Sequence, residues 1–130
     1  MEVAAIQATR NACAILIVDD AIDTRAAVGE FLRTCGYRVF EAADADEALA
    51  LLNSPLAIEV LLTDVQMPGS MNGIALARWV RITRPRLRVL VLSGQDVSAQ
   101  LAGEDVPFFS KPLQSAALLA ALPPAATARA

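Results

Sequence analysis

Short continuous apolar runs alternate along this chain with stretches in which apolar side chains recur every three or four residues. Ala14 to Val18 (AILIV) is the first run and stops at Asp19-Asp20. Val28, Phe31, Leu32 and Cys35 then recur at helical spacing, and Gly36 closes that helix. Tyr37 to Ala42 reads as a second strand. Asp44 followed by Glu47 makes a capping-box-like start, and Ala45, Ala48, Leu49 and Leu52 form one helical stripe before Asn53-Ser54-Pro55. Ile58 to Thr63 is a third buried strand ending at Asp64. The segment Met67 to Gly73 is turn chemistry, after which Ile74, Ala77 and Val80 mark a helix stopped near Arg84-Pro85. Val89 to Leu92 is a fourth strand, ending at Ser93-Gly94. Gln95 to Asp105 is short and weakly periodic, and only a short helix is predicted there. Val106 to Ser110 reads as a fifth strand before Lys111-Pro112, and Ser115 to Leu122 as a last helix. This alternation predicts an α/β domain built around a parallel sheet.

Composition narrows the class. A chain of 130 residues with 55% hydrophobic side chains is expected to form one domain with its own core rather than a disordered segment. The formal charge of -3 argues against nucleic acid as a direct partner. There is no histidine, which excludes Ser-His-Asp and Cys-His machinery, histidine-containing zinc or haem sites, and a phosphohistidine on this chain. Cys13 and Cys35 are too few for a disulfide framework and read as reduced thiols of a cytoplasmic protein. No signal peptide is visible. The longest apolar stretch, Ala116 to Leu122, is stopped by Pro123-Pro124, well short of the ~20 residues a membrane span needs. The bias toward arginine and alanine is that of a GC-rich bacterial genome.

The candidate chemistry lies where the runs end. Asp19-Asp20 follow the first, Asp64 the third, Ser93 the fourth and Lys111, the only lysine, the fifth. In an open parallel sheet the C-terminal strand ends share one edge, where ligands bind. Singly, each residue has a commoner explanation as a cap, a turn residue or a solvated charge; together they converge. Three carboxylates within about 4 Å repel by roughly 4 kcal/mol per pair at an effective dielectric of ~20, so the cluster favours a divalent cation. Oxygen ligands alone point to a hard ion such as Mg²⁺.

These residues, in this order, resemble the receiver domain of two-component response regulators, chemotaxis regulators among them. The resemblance runs from about Ala14 to Leu122 and rests on Asp19-Asp20, the segment T-D-V-Q-M-P-G-S-M-N-G around Asp64, L-S-G at Leu92 to Gly94, and F-F-S-K-P at Phe108 to Pro112. It implies a flavodoxin-like (βα)5 three-layer sandwich whose five-stranded parallel sheet has the order 2-1-3-4-5. By resemblance Asp64 is the phosphoacceptor, taking its phosphoryl group from the phosphohistidine of a histidine kinase or histidine phosphotransfer protein. Asp19, Asp20, Asp64 and the backbone carbonyl of Gln66 would hold Mg²⁺. Ser93 and Lys111 would bind phosphate oxygens, Lys111-Pro112 would be a cis peptide, and Ser93 and Phe108 would form the switch that alters an interaction face. Gln66 and Gln95 occupy positions that in the family tune dephosphorylation.

Some features depart from that pattern. The stretch between Ser93 and Lys111 is short, which abbreviates the fourth helix. The loop after Asp64 carries Gly69-Ser70 where many members are more compact. Arg78, Arg81, Arg84, Arg86 and Arg88 form a basic stretch that reads as a solvated face, or else as a docking patch for an acidic partner. Trp79 would report on metal binding if it lay near the site. The expected organisation is an N-terminal extension over 1–12, a receiver over 13–122 and a flexible tail over 123–130. That describes a stand-alone, non-enzymatic, cytoplasmic regulator acting on a protein target, with no nucleic acid or membrane partner. A receiver cut from a hybrid histidine kinase is the first alternative. A Mg²⁺-dependent aspartyl-phosphate phosphohydrolase is the second, weakened because Ala21 and Ile22 follow Asp19-Asp20 and the Asp-x-Asp pattern is missing. A pseudo-receiver used only for interaction would not need all the acids and Lys111.

Overall fold

The computed structural model describes residues 12–69, 71–104 and 106–125. The N-terminal extension up to residue 11, Ser70 of the loop after Asp64, and residues 126–130 of the tail lie outside the described residues. Five strands, β1 (Ala14–Val18), β2 (Arg38–Ala42), β3 (Val60–Asp64), β4 (Arg88–Ser93) and β5 (Phe108–Ser110), form one sheet of order β2-β1-β3-β4-β5. All four pairings are parallel; Val18 stands beside Ala42 and Thr63, and Asp64 beside Leu92. The helices are α1 (Ile22–Thr34), α2 (Ala45–Leu52), α3 (Gly73–Thr83) and α4 (Ser115–Ala121).

Successive side chains of a strand face opposite sides, so each central strand feeds two cores. Leu16, Val18, Leu61, Val89 and Val91 pack with Ala45, Ala48 and Leu52 of α2 and Ile74, Ala77 and Val80 of α3. Ile15, Ile17, Val60, Leu62, Leu90 and Leu92 pack with Leu32 of α1 and Leu118 of α4. Burying such a side chain fully stabilises by about 1.5–3 kcal/mol, enough in sum to hold the three layers.

Local signals set the helix ends. Asp44 Oδ1 accepts from the Glu47 N–H at 2.9 Å and Glu47 Oε1 accepts from the Ala43 N–H at 2.7 Å, a reciprocal cap for α2. Gly36, at φ 98°, ends α1 with its N–H on the Arg33 carbonyl at 3.0 Å. The turn-like Asn72 is in fact the cap of α3, accepting from the Ala75 N–H at 2.9 Å.

One expectation is corrected. The β4–β5 crossover contains no regular helix among the described residues. Successive turns form instead, with the Leu101 N–H on the Val97 carbonyl at 3.1 Å and the Glu104 N–H on the Leu101 carbonyl at 3.0 Å. Asp96 Oδ1 takes the Ser98 N–H at 2.9 Å, and only Val97 and Leu101 are apolar and buried there, too few to make a helical stripe. The four described helices therefore fall one short of a full (βα)5 set, while sheet order and layering are as anticipated. The Tyr37 hydroxyl donates to the Pro123 carbonyl, and the Ala125 carbonyl accepts from the Cys13 N–H at 2.7 Å.

The arginine stretch is largely consumed by tethers within the chain. Arg78 reaches Glu104 at 3.1 Å and the Gln100 carbonyl at 2.7 Å, Arg84 reaches Asn53 at 2.8 Å, and Arg88 reaches the Ala121 carbonyl at 2.9 Å. Arg81 lies 3.9 Å from Glu104.

Candidate functional site

The C-terminal ends of β1, β3, β4 and β5 converge on one sheet edge, around a depression of about 490 Å³ lined by Asp19, Asp20, Asp64, Gln66, Ser93 and Lys111, among others. Asp19 (3% exposed), Asp64 (7%) and Ser93 (2%) are buried, whereas Asp20 is exposed. One carboxylate oxygen from each of Asp19, Asp20 and Asp64 lies within 4.8 Å of the others. Lys111 Nζ stands 3.2 Å from Asp64 Oδ1 and 3.6 Å from Asp19 Oδ2. Lys111-Pro112 is a cis peptide.

Asp64 is rooted by its own strand end. Its Oδ1 accepts from the Val65 N–H at 3.0 Å and faces Lys111, while Oδ2 meets no protein donor among the described residues. Burial pushes its carboxyl above the usual value; Lys111 pulls it back, and the Asp19 charge pushes it up further. Three acids facing one ammonium leave surplus negative charge. An all-oxygen donor set with that surplus suits a hard divalent cation such as Mg²⁺.

The surrounding backbone is close-fitting. Gly73 opens α3 with its N–H on the Val65 carbonyl at 2.8 Å. A Cβ added to Gly73 would lie 1.8 Å from the Asp64 carbonyl oxygen, so α3 starts directly against the chain that carries Asp64.

Ser93 Oγ accepts from the Gln95 N–H at 3.1 Å, which leaves its O–H free to donate into the depression. Gln66 is exposed and lines the site, but Gln95 does not line it. Phe108 is half-buried against the core on the α2 and α3 side; Phe109 packs against the other core. Trp79 belongs to the first of those cores and is not among the lining residues.

Sequence reasoning missed Arg25 and Glu41. Arg25 Nη1 donates to the Asp19 carbonyl at 2.7 Å, and its Nε donates to Glu41 Oε1 at 3.1 Å. Only the side-by-side register of β1 and β2, which sets Glu41 opposite Ile17, brings these together. Asn72 and Gly73 were hidden within the turn-rich Met67 to Gly73 segment.

Residues 15–123 match the family model described as the response regulator receiver domain. The chain is 38% identical over 110 residues to the response regulator MprA of Mycolicibacterium vanbaalenii, covering 82% of this chain and 47% of that protein. It is 34% identical over 82 residues to a cyclic di-GMP phosphodiesterase of Thermotoga maritima, covering 63% of this chain and 21% of that one. The match thus spans less than half the length of either relative. Among solved structures, a response regulator receiver protein from Sinorhizobium medicae superposes with a TM-score of 0.77 at 27% identity, covering 85% of this chain and 90% of that one. The receiver domain of the hybrid histidine kinase CckA superposes with a TM-score of 0.66 at 34% identity, covering 82% and 93%. No described helix is long and apolar enough to cross a membrane.

Proposed function

The chain belongs to the response regulator receiver family, whose model covers residues 15–123, and on that premise we propose that Asp64 accepts a phosphoryl group from a phosphohistidine. The observation that carries this reading is the placement of Asp64 at the end of the central strand, 3.2 Å from the only lysine and grouped with two further carboxylates. The donor is a cytoplasmic histidine kinase or histidine phosphotransfer protein, since this chain has no histidine. Asp64 Oδ2 attacks phosphorus, the P–N bond of the phosphohistidine breaks, and the imidazole leaves; an acyl phosphate remains on Asp64.

The residues fit the metal this chemistry uses. Asp19, Asp20, Asp64 and the Gln66 carbonyl would hold Mg²⁺, which neutralises charge on the transferring oxygens. Lys111 binds one phosphoryl oxygen by exchanging its contact with Asp64, and the Ser93 hydroxyl donates to another. As Ser93 shifts, Phe108 two strands from Asp64 follows it inward and alters the face made by β4, the crossover and β5. The phosphoryl group marks the protein rather than passing through it in turnover, so the role is regulatory and the output is a protein contact.

A second reading, a receiver belonging to a hybrid histidine kinase, draws on the 34% identity to the CckA receiver domain; the chemistry at Asp64 is the same in both. The test is intact mass after incubation with Mg²⁺ and a small phosphodonor, for wild type and Asp64→Asn. One phosphoryl group on wild type and none on the variant supports the reading. No gain on wild type, or equal gain on both, overturns it, and sustained hydrolysis of a phosphate ester would favour the phosphohydrolase.

A further inference from the structure

Asp20 is the least restrained member of the acidic cluster. It is exposed, and its side chain makes no hydrogen bond or ion pair among the described residues. Its direction is therefore set by the backbone just before it. Besides the ion pair of its Oδ2 with Lys111, Asp19 is fixed at three points: its N–H donates to the Ala42 carbonyl at 3.1 Å, its Oδ1 accepts from the Ala21 N–H at 2.9 Å, and its carbonyl oxygen accepts from Arg25 Nη1 at 2.7 Å. The third contact alone holds the Asp19-Asp20 peptide plane through a side chain.

Arg25 is itself built in. Its side chain is 14% exposed, and its Nε is held by Glu41 Oε1 at 3.1 Å, while Glu41 Oε2 is held in turn by Arg33 Nη2 at 3.2 Å. Arg33 Nη2 also donates to the Val39 carbonyl at 3.1 Å. A chain of contacts therefore runs from β2 through Glu41 to Arg25 and ends on the peptide that aims Asp20. Helix α1 has no side-chain cap at Ala21, so the turn between β1 and α1 is restrained by two side chains, Asp19 Oδ1 on the Ala21 N–H and the Arg25 guanidinium on the Asp19 carbonyl.

We propose that Arg25, braced by Glu41, is a positioning residue for the divalent-cation site: it fixes the Asp19-Asp20 peptide so that the Asp20 carboxylate faces the cluster. The inference rests on the reading of that cluster as a Mg²⁺ site. Charge and geometry predict opposite signs for it. A guanidinium close to a cation site repels the cation, so on Coulombic grounds its removal tightens Mg²⁺ binding. Loss of an outer partner that orients a ligand weakens metal binding by about 10- to 100-fold.

The experiment is calorimetric titration of Mg²⁺ into wild type, Arg25→Met and Arg25→Lys, with melting curves of each in chelator. Arg25→Met is expected to weaken Mg²⁺ at least tenfold although a positive charge has gone. Arg25→Lys keeps the charge but cannot donate to Asp19 and Glu41 together as the fork does, and is expected to weaken Mg²⁺ as well. Tighter or unchanged binding in Arg25→Met, full affinity in Arg25→Lys, or a lower melting temperature with unchanged affinity would each overturn the proposal. If Arg25→Met fails to fold, Arg25→Lys decides. Absence of Mg²⁺ binding by wild type would instead overturn the metal-site reading itself, together with what rests on it.

Discussion

Replacing Gly73 by Ala tests the junction between α3 and the strand that carries Asp64. The new methyl carbon would lie 1.8 Å from the Asp64 carbonyl oxygen, 2.7 Å from its carbonyl carbon and 2.9 Å from Val65 Cα. Ordinary contact begins near 3.4 Å, so helix or strand must yield by about 1.6 Å. What it meets is backbone within a five-stranded sheet, not the end of a flexible side chain. Two terms oppose each other. Ala in place of Gly within a helix gains at most about 1 kcal/mol. Overpacking costs about 1–3 kcal/mol, and more when neither partner can rotate away. The clash wins, and a net loss of about 2 kcal/mol is expected, or roughly 8 °C in melting temperature for a chain of this size. Thermal and urea melts followed by circular dichroism measure it. A second readout is more specific: displacing a reacting atom by about 1 Å costs about 100-fold in rate, so phosphorylation of the folded variant by a small phosphodonor should slow far more than its stability falls. A variant as stable as wild type or more so would refute the close approach. A destabilised variant phosphorylated at the wild-type rate would show that α3, and not Asp64, absorbs the strain.

Other consequences follow from the same geometry. The Asp64 carboxyl is held above its ordinary value chiefly by burial, so the folded state binds that proton more tightly than the unfolded chain does. Its ionisation therefore weakens the fold above the folded pKa, and the penalty fades as pH falls through that value. In chelator, Asp64→Asn should be more stable than wild type near pH 7, with the gap closing toward pH 4 in urea melts; a constant gap would contradict the shift. Lys111→Ala removes the cation 3.2 Å from Asp64 and 3.6 Å from Asp19. With its side chain 30% exposed, the loss in metal-free stability should be about 1 kcal/mol, while Mg²⁺ titration should show tighter binding. Arg78→Ala releases the Gln100 carbonyl from α3 and leaves Glu104 only its longer contact, 3.9 Å, with Arg81. Hydrogen exchange should speed up between Gln100 and Glu104 while global stability changes by less than about 1 kcal/mol.

β1, β3, β4 and β5 were legible because each carries apolar residues up to a polar end, and sheet order followed from the resemblance that those ends carry. Helix α2 was legible from Asp44 and Glu47, whose reciprocal capping is a local interaction. The β4–β5 crossover was harder to read, since Val97 and Leu101 satisfy a helical spacing that also fits successive turns. The tether of Pro123 and Ala125 to Tyr37 and Cys13 was invisible, because it joins positions far apart in sequence through backbone carbonyls that carry no residue signature. The same holds at the site. Asp19, Asp20, Asp64, Ser93 and Lys111 announce themselves by standing at strand ends, but Arg25 and Glu41 look like any surface ion pair until β2 is laid beside β1. Gly73 looked like a turn residue, and its need for glycine arises from how close α3 comes to Asp64.

The bond between the Cys13 N–H and the Ala125 carbonyl has a topological meaning. It joins the approach to β1 and the exit from α4 at the N-terminal edge of the sheet, across the domain from Asp64. The two points therefore stand side by side, on the side of the sheet away from the acidic cluster. For the same reason a short linker joining the neighbourhoods of Cys13 and Ala125 closes the chain into a ring. Reopening that ring in the β4–β5 crossover gives a circular permutant with its new termini between Ser93 and Phe108.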